Sequence, residues 1–188
     1  MNPRPLTLLI GILAAAASPA LLAAHPTAAA HPAPAHSSHG HATGIVRAVR
    51  DSTRRYLRLS RAEAAGYGPL LGCASGDAEG AMGLHYANPV LVGDGVLDAR
   101  RPEVLMYEPM ANGRMRLVGV EFVVIAEAWD AANAAPPVLM GQLFHYEDSP
   151  NRYGLPAFYA LHVWAWKNNP KGVFADWNPR VSCMHYAG

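Results

Sequence analysis

Three residues of the chain combine a metal-ligand side chain with a strand-like apolar setting: His85 in the run Ala81 to Tyr86, Glu121 in Arg114 to Ile125, and His162 in Phe158 to Trp166. Two imidazoles and a carboxylate are a minimal set for holding Zn(II), Cu(II), Mn(II) or Fe(II) with positions left open. Glu121 is the most informative of them, because it stands between Val120 and Phe122 in a β-branched run. An unpartnered polar group there costs roughly 2–7 kcal/mol, so the carboxylate must find a cation, a donor or a metal, or take up a proton. His145, beside Tyr146 and Glu147, is a fourth candidate. The three principal residues come from separate segments, so their convergence depends on strand register. The competing reading leaves each histidine hydrogen-bonded in the core and pairs Glu121 with an arginine such as Arg180.

Five of the nine histidines, His25, His31, His36, His39 and His41, fall within residues 25–43, which are almost entirely Ala, Pro, His, Ser, Thr and Gly. Such a stretch has little apolar bulk to bury and is expected to be a disordered tether. Its imidazoles are candidate auxiliary metal ligands, since a flexible chain can chelate without a preformed site. The glycine-rich residues 72–83 carry Asp77 and Glu79 and no lysine, which disfavours a phosphate cradle and with it any nucleotide. Ser75 is misplaced by one position for a nucleophile elbow. With no separate general base or nucleophile to name, enzymatic use of a metal is not the expectation.

Several elements must position these groups. Ile45, Val46, Val49, Thr53, Tyr56 and Leu57 recur with helical spacing, with Arg47, Arg50, Arg54 and Arg55 mostly on the wetter side. Ser60 to Glu63 has the form of a capping box opening a second short helix that Gly66 closes. Ala81 to Tyr86, ended by Asn88-Pro89, is expected to be a strand, as are Val104 to Tyr107, Met115 to Ile125, Val138 to Tyr146 and Phe158 to Trp166. Asn112-Gly113 is the best hairpin signal. Consecutive strands without intervening long helices favour an antiparallel sheet. With the N-terminal amphipathic helices packed on it, the class is α+β, in a single domain over residues 44–188. The tail from Val173 onward is expected to be mostly irregular.

The first residues resemble a secretory signal: Arg4, then the apolar Leu6 to Ala17, then small-residue cleavage options at Ala24 or as late as Ala30. Residues 1–24 are therefore expected to be removed on export to periplasm or medium. Pro19 interrupts the apolar stretch, which falls short of the roughly 20 residues that span a bilayer, so no transmembrane anchor is expected. Cys73 and Cys183 suit an oxidising compartment and are expected to be bridged, the alternative being two independent buried thiols. The formal net charge of +1 and the lack of any basic run argue against nucleic acid or a polybasic membrane patch.

Tyr107 and the segment Arg116-Leu117-Val118-Gly119-Val120-Glu121-Phe122, with His85-Tyr86 before and His162-Val163-Trp164 after, resemble the oil-body-associated protein family of plants, fungi and bacteria. That family has no established biochemical activity. The likeness spans the central half of the chain, and Phe144-His145-Tyr146-Glu147 matches the family's histidine-rich element. It implies that His85, Glu121 and His162 belong to one site. Two functions compete: an exported metal-binding module, or an envelope or surface protein that binds a lipid, glycan or other protein through an aromatic sheet face of Tyr159, Trp164, Trp166 and Trp177.

Overall fold

A computed structural model describes residues 38–76 and 78–188, with side chains from residue 42 onward. The signal region and His25, His31 and His36 lie outside the described residues.

The chain runs α1 (Ser38–Thr53), a 3-10 turn (Arg54–Leu57), α2 (Leu59–Glu63), β1 (Gly68–Pro69), β2 (Ala74–Gly76), β3 (Gly80–Ala87), α3 (Pro89–Asp94), β4 (Val104–Pro109), β5 (Met115–Ile125), α4 (Ala126–Ala132), β6 (Val138–Leu139), β7 (Gln142–Leu143), β8 (His145–Glu147) and β9 (Phe158–Val163). The principal sheet has the order β1-β3-β4-β5-β9-β8, every pairing antiparallel, and β2 pairs with β3. This is the α+β class. β5 is the central strand, its two neighbours being β4 and β9, which is why its β-branched run is buried on both faces.

Alternation along the strands divides the interior in two. Leu105, Tyr107, Val120, Phe122, Leu161 and Val163 point to one face and form the main core together with Ile45, Val49 and Tyr56 of the N-terminal helical segment. Thr53 sends its hydroxyl back to the Val49 carbonyl, and Arg47, Arg50, Arg54 and Arg55 are exposed. The opposite face carries His85, Glu121 and His162 and, at one end, a smaller cluster of Ala81, Met106, Val118, Trp164 and Val181. A register shift between Met106 and Tyr107 opposes the Leu117 to Gly119 segment, where an extra residue restores the alternation that turns Glu121 to the second face. Gly119 is required by contact. A Cβ there would lie 2.8 Å from the Val163 carbonyl oxygen and 2.7 Å from Met106 Cε.

Several local expectations are corrected. Helix α1 begins at Ser38, so residues 38–43, expected in the tether, have helical backbone. The helix ends at Thr53 and tightens into the 3-10 turn, so Tyr56 and Leu57 are not part of it. No capping box forms: α2 starts at Leu59, one residue ahead of Ser60, and Arg58 occupies the cap without a side-chain bond. Asn88-Pro89 ends β3 and also starts α3, because the Asn88 side chain accepts the Val90 amide and proline tolerates the first helical turn. The expected strand Val138 to Tyr146 is three short pieces, broken where Met140 and Gly141 take left-handed backbone with φ of 49° and 83°. The strand through His162 ends at Val163 because Trp166 and Lys167 both donate their amides to the Val118 carbonyl.

Candidate metal centre

Register brings the three principal candidates together. Glu121 of β5 lies directly opposite His162 of β9, and His85 of β3 reaches the same face across β4. Their side chains are 90 % or more buried, and one donor atom from each lies within 4.8 Å of the other two. Glu121 spans the imidazoles, with Oε2 3.6 Å from His85 Nε2 and Oε1 3.7 Å from His162 Nε2. These separations are longer than a hydrogen bond. Among the described residues His162 Nε2 is buried without a hydrogen-bond partner, while His162 Nδ1 faces Asp176 and His85 is drawn by the Gly83 backbone.

Burial draws the His85 imidazole below its ordinary value, against the opposing pull of Glu121. Burial acts the same way on His162, but there the carboxylates of Glu121 and Asp176 outweigh it and hold the group above its ordinary value. Asp176 lies in the irregular tail, with Oδ1 3.2 Å from His162 Nδ1 and 3.3 Å from His145 Nδ1. The first contact meets the distance for an ion pair without the alignment of a hydrogen bond. Contact with His162 keeps the Asp176 carboxyl below the usual range, its partial burial opposing and His145 adding to the effect. The arrangement has the form of a carboxylate behind a ligand imidazole, which fixes ring orientation in metal sites.

The cluster opens on a cavity of about 500 Å³ whose walls are mostly apolar. The loop after β8 brings Arg152 and Tyr153 to it, and Asn151 ties that loop by accepting the Tyr153 and Leu155 amides. The Arg152 guanidinium lies over the Trp177 and Tyr153 rings and donates to the Ser75 carbonyl.

Other expected groups are placed differently. His145 is largely exposed; it lines the cavity and, among the described residues, has Asp176 as its ion-pair partner. His39 and His41 fall within α1. Glu121 does not pair with Arg180: among the described residues its ion-pair partners are the two histidines. The aromatic face does not form. Tyr159 and Trp166 belong to the main core side, where Trp166 donates to Thr53, while Trp164 sits in the smaller cluster and Trp177 alone lines the cavity. Trp164 and Trp166 would share a face only if β9 continued beyond Val163, where it ends. Nothing in the sequence marks Asp176, a lone aspartate in an irregular tail without a spacing pattern.

Cys73 and Cys183 form a disulfide. No helix among the described residues is long and apolar enough to cross a membrane. No family model, curated protein or solved structure matches the chain.

Proposed function

We propose that the chain is an exported metal-binding protein whose centre is His85, Glu121 and His162, with Asp176 orienting His162 and the histidines of residues 25–43 serving as auxiliary chelators. Kinship with the oil-body-associated proteins is part of the same proposal, since it groups the three ligands in matching elements. The observation that carries it is the spacing of Glu121 between two buried imidazoles, too long for hydrogen bonds and suited to donors sharing one ion. A cation held between Glu121 and the two imidazoles gives His162 Nε2, buried on the Glu121 side, the partner it lacks among the described residues. Burial draws His85 toward the neutral form a ligand needs, whereas the carboxylates facing His162 draw it toward the protonated form that a metal must displace. A nitrogen-rich donor set with one carboxylate suits Zn(II), Fe(II) or Mn(II) in preference to Ca(II) or Mg(II).

The test is metal analysis of the chain lacking residues 25–37, dialysed against Zn(II) and then desalted. One equivalent of zinc is expected, and Glu121→Gln should lose it. Absence of zinc from the folded parent, or equal zinc in both proteins, would refute the centre.

A further inference from the structure

The sheet face that bears the triad is built in rungs. Directly paired residues of β5 and β9 give Glu121 with His162, then Val123 with Ala160, then Ile125 with Phe158, and all six line the cavity. On the far side of the first rung the face is filled by Met106, Val118 and Trp164. The polar end is therefore closed, and the open space extends one way over apolar rungs for about 13 Å at the usual strand rise. The small Ala160 leaves room at the middle rung.

Polar groups gather at the closed end. The Tyr153 hydroxyl lies 3.8 Å from Met82 Sδ near the start of β3, and Arg152 sits over Trp177, next in sequence to Asp176. A divalent cation beside Glu121, Asp176 and Arg152 leaves one net positive charge at that end, and Glu147, the other carboxylate of the lining, stands two rungs away opposite Phe158. A cavity of about 500 Å³ is of ordinary size for a small-molecule site, and predominantly apolar walls with a few convergent polar groups are the usual form.

We infer that this cavity binds a monoanionic amphiphile, an alkyl carboxylate, with its head on the metal at the Glu121–His162 rung and its chain along Val123, Ala160, Ile125 and Phe158. The inference rests on the metal-centre reading. The charge at the closed end selects the anionic head, and the length of the apolar rungs selects the chain.

The probe is decanoate, titrated into the full chain loaded with Co(II) and followed by the cobalt absorption bands. A saturable change at one equivalent is expected, with acetate at least a hundredfold weaker and decanol producing no spectral change. Affinity should rise roughly fourfold per added methylene from butanoate upward and flatten once the chain outruns the rungs. Val123→Trp, at a half-buried position facing the cavity, should abolish the decanoate response and keep the cobalt spectrum. If that variant is unstable, Ile125→Trp replaces it. Stoichiometric cobalt with no response to decanoate overturns the ligand and leaves the centre standing, as does a response unchanged when the cavity is filled. Decanol bound as tightly as decanoate overturns the placement of the head on the metal. Failure to bind cobalt at all overturns the centre and this inference together.

Discussion

Buried ionisable groups in this protein solve the same problem in two ways. Glu121 is placed among imidazoles, whereas Glu103, 1 % exposed, accepts the Val123 amide on Oε2, has Arg101 as a minor attraction, and leaves Oε1 without a partner among the described residues. Burial raises the Glu103 carboxyl to about 8, against the pull of backbone amides. The folded chain therefore holds a proton that the unfolded chain releases at an ordinary carboxylate value. Stability from this source is present in full below the unfolded value, near 4.5, and is lost as pH rises to about 8. Chemical denaturation across that window should show stability falling by up to about 1.4 kcal/mol per pH unit, and Glu103→Gln should flatten the slope. An unchanged slope in the variant would assign the pH dependence elsewhere. For the triad, the cycle Glu121→Gln, His162→Gln and the double variant should show coupling of about 0.5–3 kcal/mol. Coupling that appears only with added Zn(II) identifies a ligand set, coupling that persists under chelator identifies a direct Glu–His interaction, and additive losses in both conditions would falsify a shared site.

At the scale of elements, what the sequence makes legible is what local chemistry controls. Met115–Ile125 is a strand with the expected bounds because its β-branched run admits no other use, and His85, Glu121 and His162 each lie on the strand expected of them. Long-range register decides the rest. The fate of Trp164 and Trp166 turns on where β9 leaves β5, and the arrival of Asp176 depends on Trp164 and Asn169 binding the carbonyls of Ala175 and Trp177. Nothing in the spacing of those residues records either event. Helix α3 was hidden because Asn-Pro serves equally to stop a strand and to cap a helix. Gly119 shows how an element can fix the site without touching it. It opposes Met106 at the register shift two residues before Glu121, and its lack of a side chain allows β5 to approach the Val163 carbonyl. Gly119→Ala should cost about 1–3 kcal/mol as an overpacked position, since backbone must move to admit the methyl group. Because that movement falls beside Glu121, Zn(II) affinity should drop as well. A stable variant with parental zinc affinity would show that the close approach is not needed.

For the molecule as a whole, the critical relation is between the sheet and a tail with no regular structure of its own. Residues from Asp176 to Cys183 return across the second face, and their anchors are specific. Asn178, fully buried, exchanges backbone hydrogen bonds with Ala81, and Glu108 binds both Lys167 Nζ and the Ser182 amide. Cys183 is joined to Cys73, ahead of β2, across a sequence separation of 110 residues. The bridge thus ties the segment that supplies Asp176 to the strands that supply His85, and a loop of this length contributes about 4–5 kcal/mol in the chain-entropy account. Removing it with Cys73→Ser and Cys183→Ser together should lower the thermal midpoint clearly. The consequence for the site is separable from that loss. Asp176→Asn, a half-buried change that keeps side-chain volume, should lower the midpoint by less than loss of the bridge does, since it gives up only the contacts with His162 and His145, and should weaken Zn(II) binding about 10–100-fold, the usual effect of losing a carboxylate behind a ligand imidazole. If the bridge positions Asp176, the double serine variant should lose zinc affinity to the same extent at temperatures where it is still folded, and adding Asp176→Asn to it should weaken binding no further. Parental zinc affinity in the folded double serine variant would show instead that Asn178 and Glu108 hold the tail without the disulfide, and that the bridge serves stability alone.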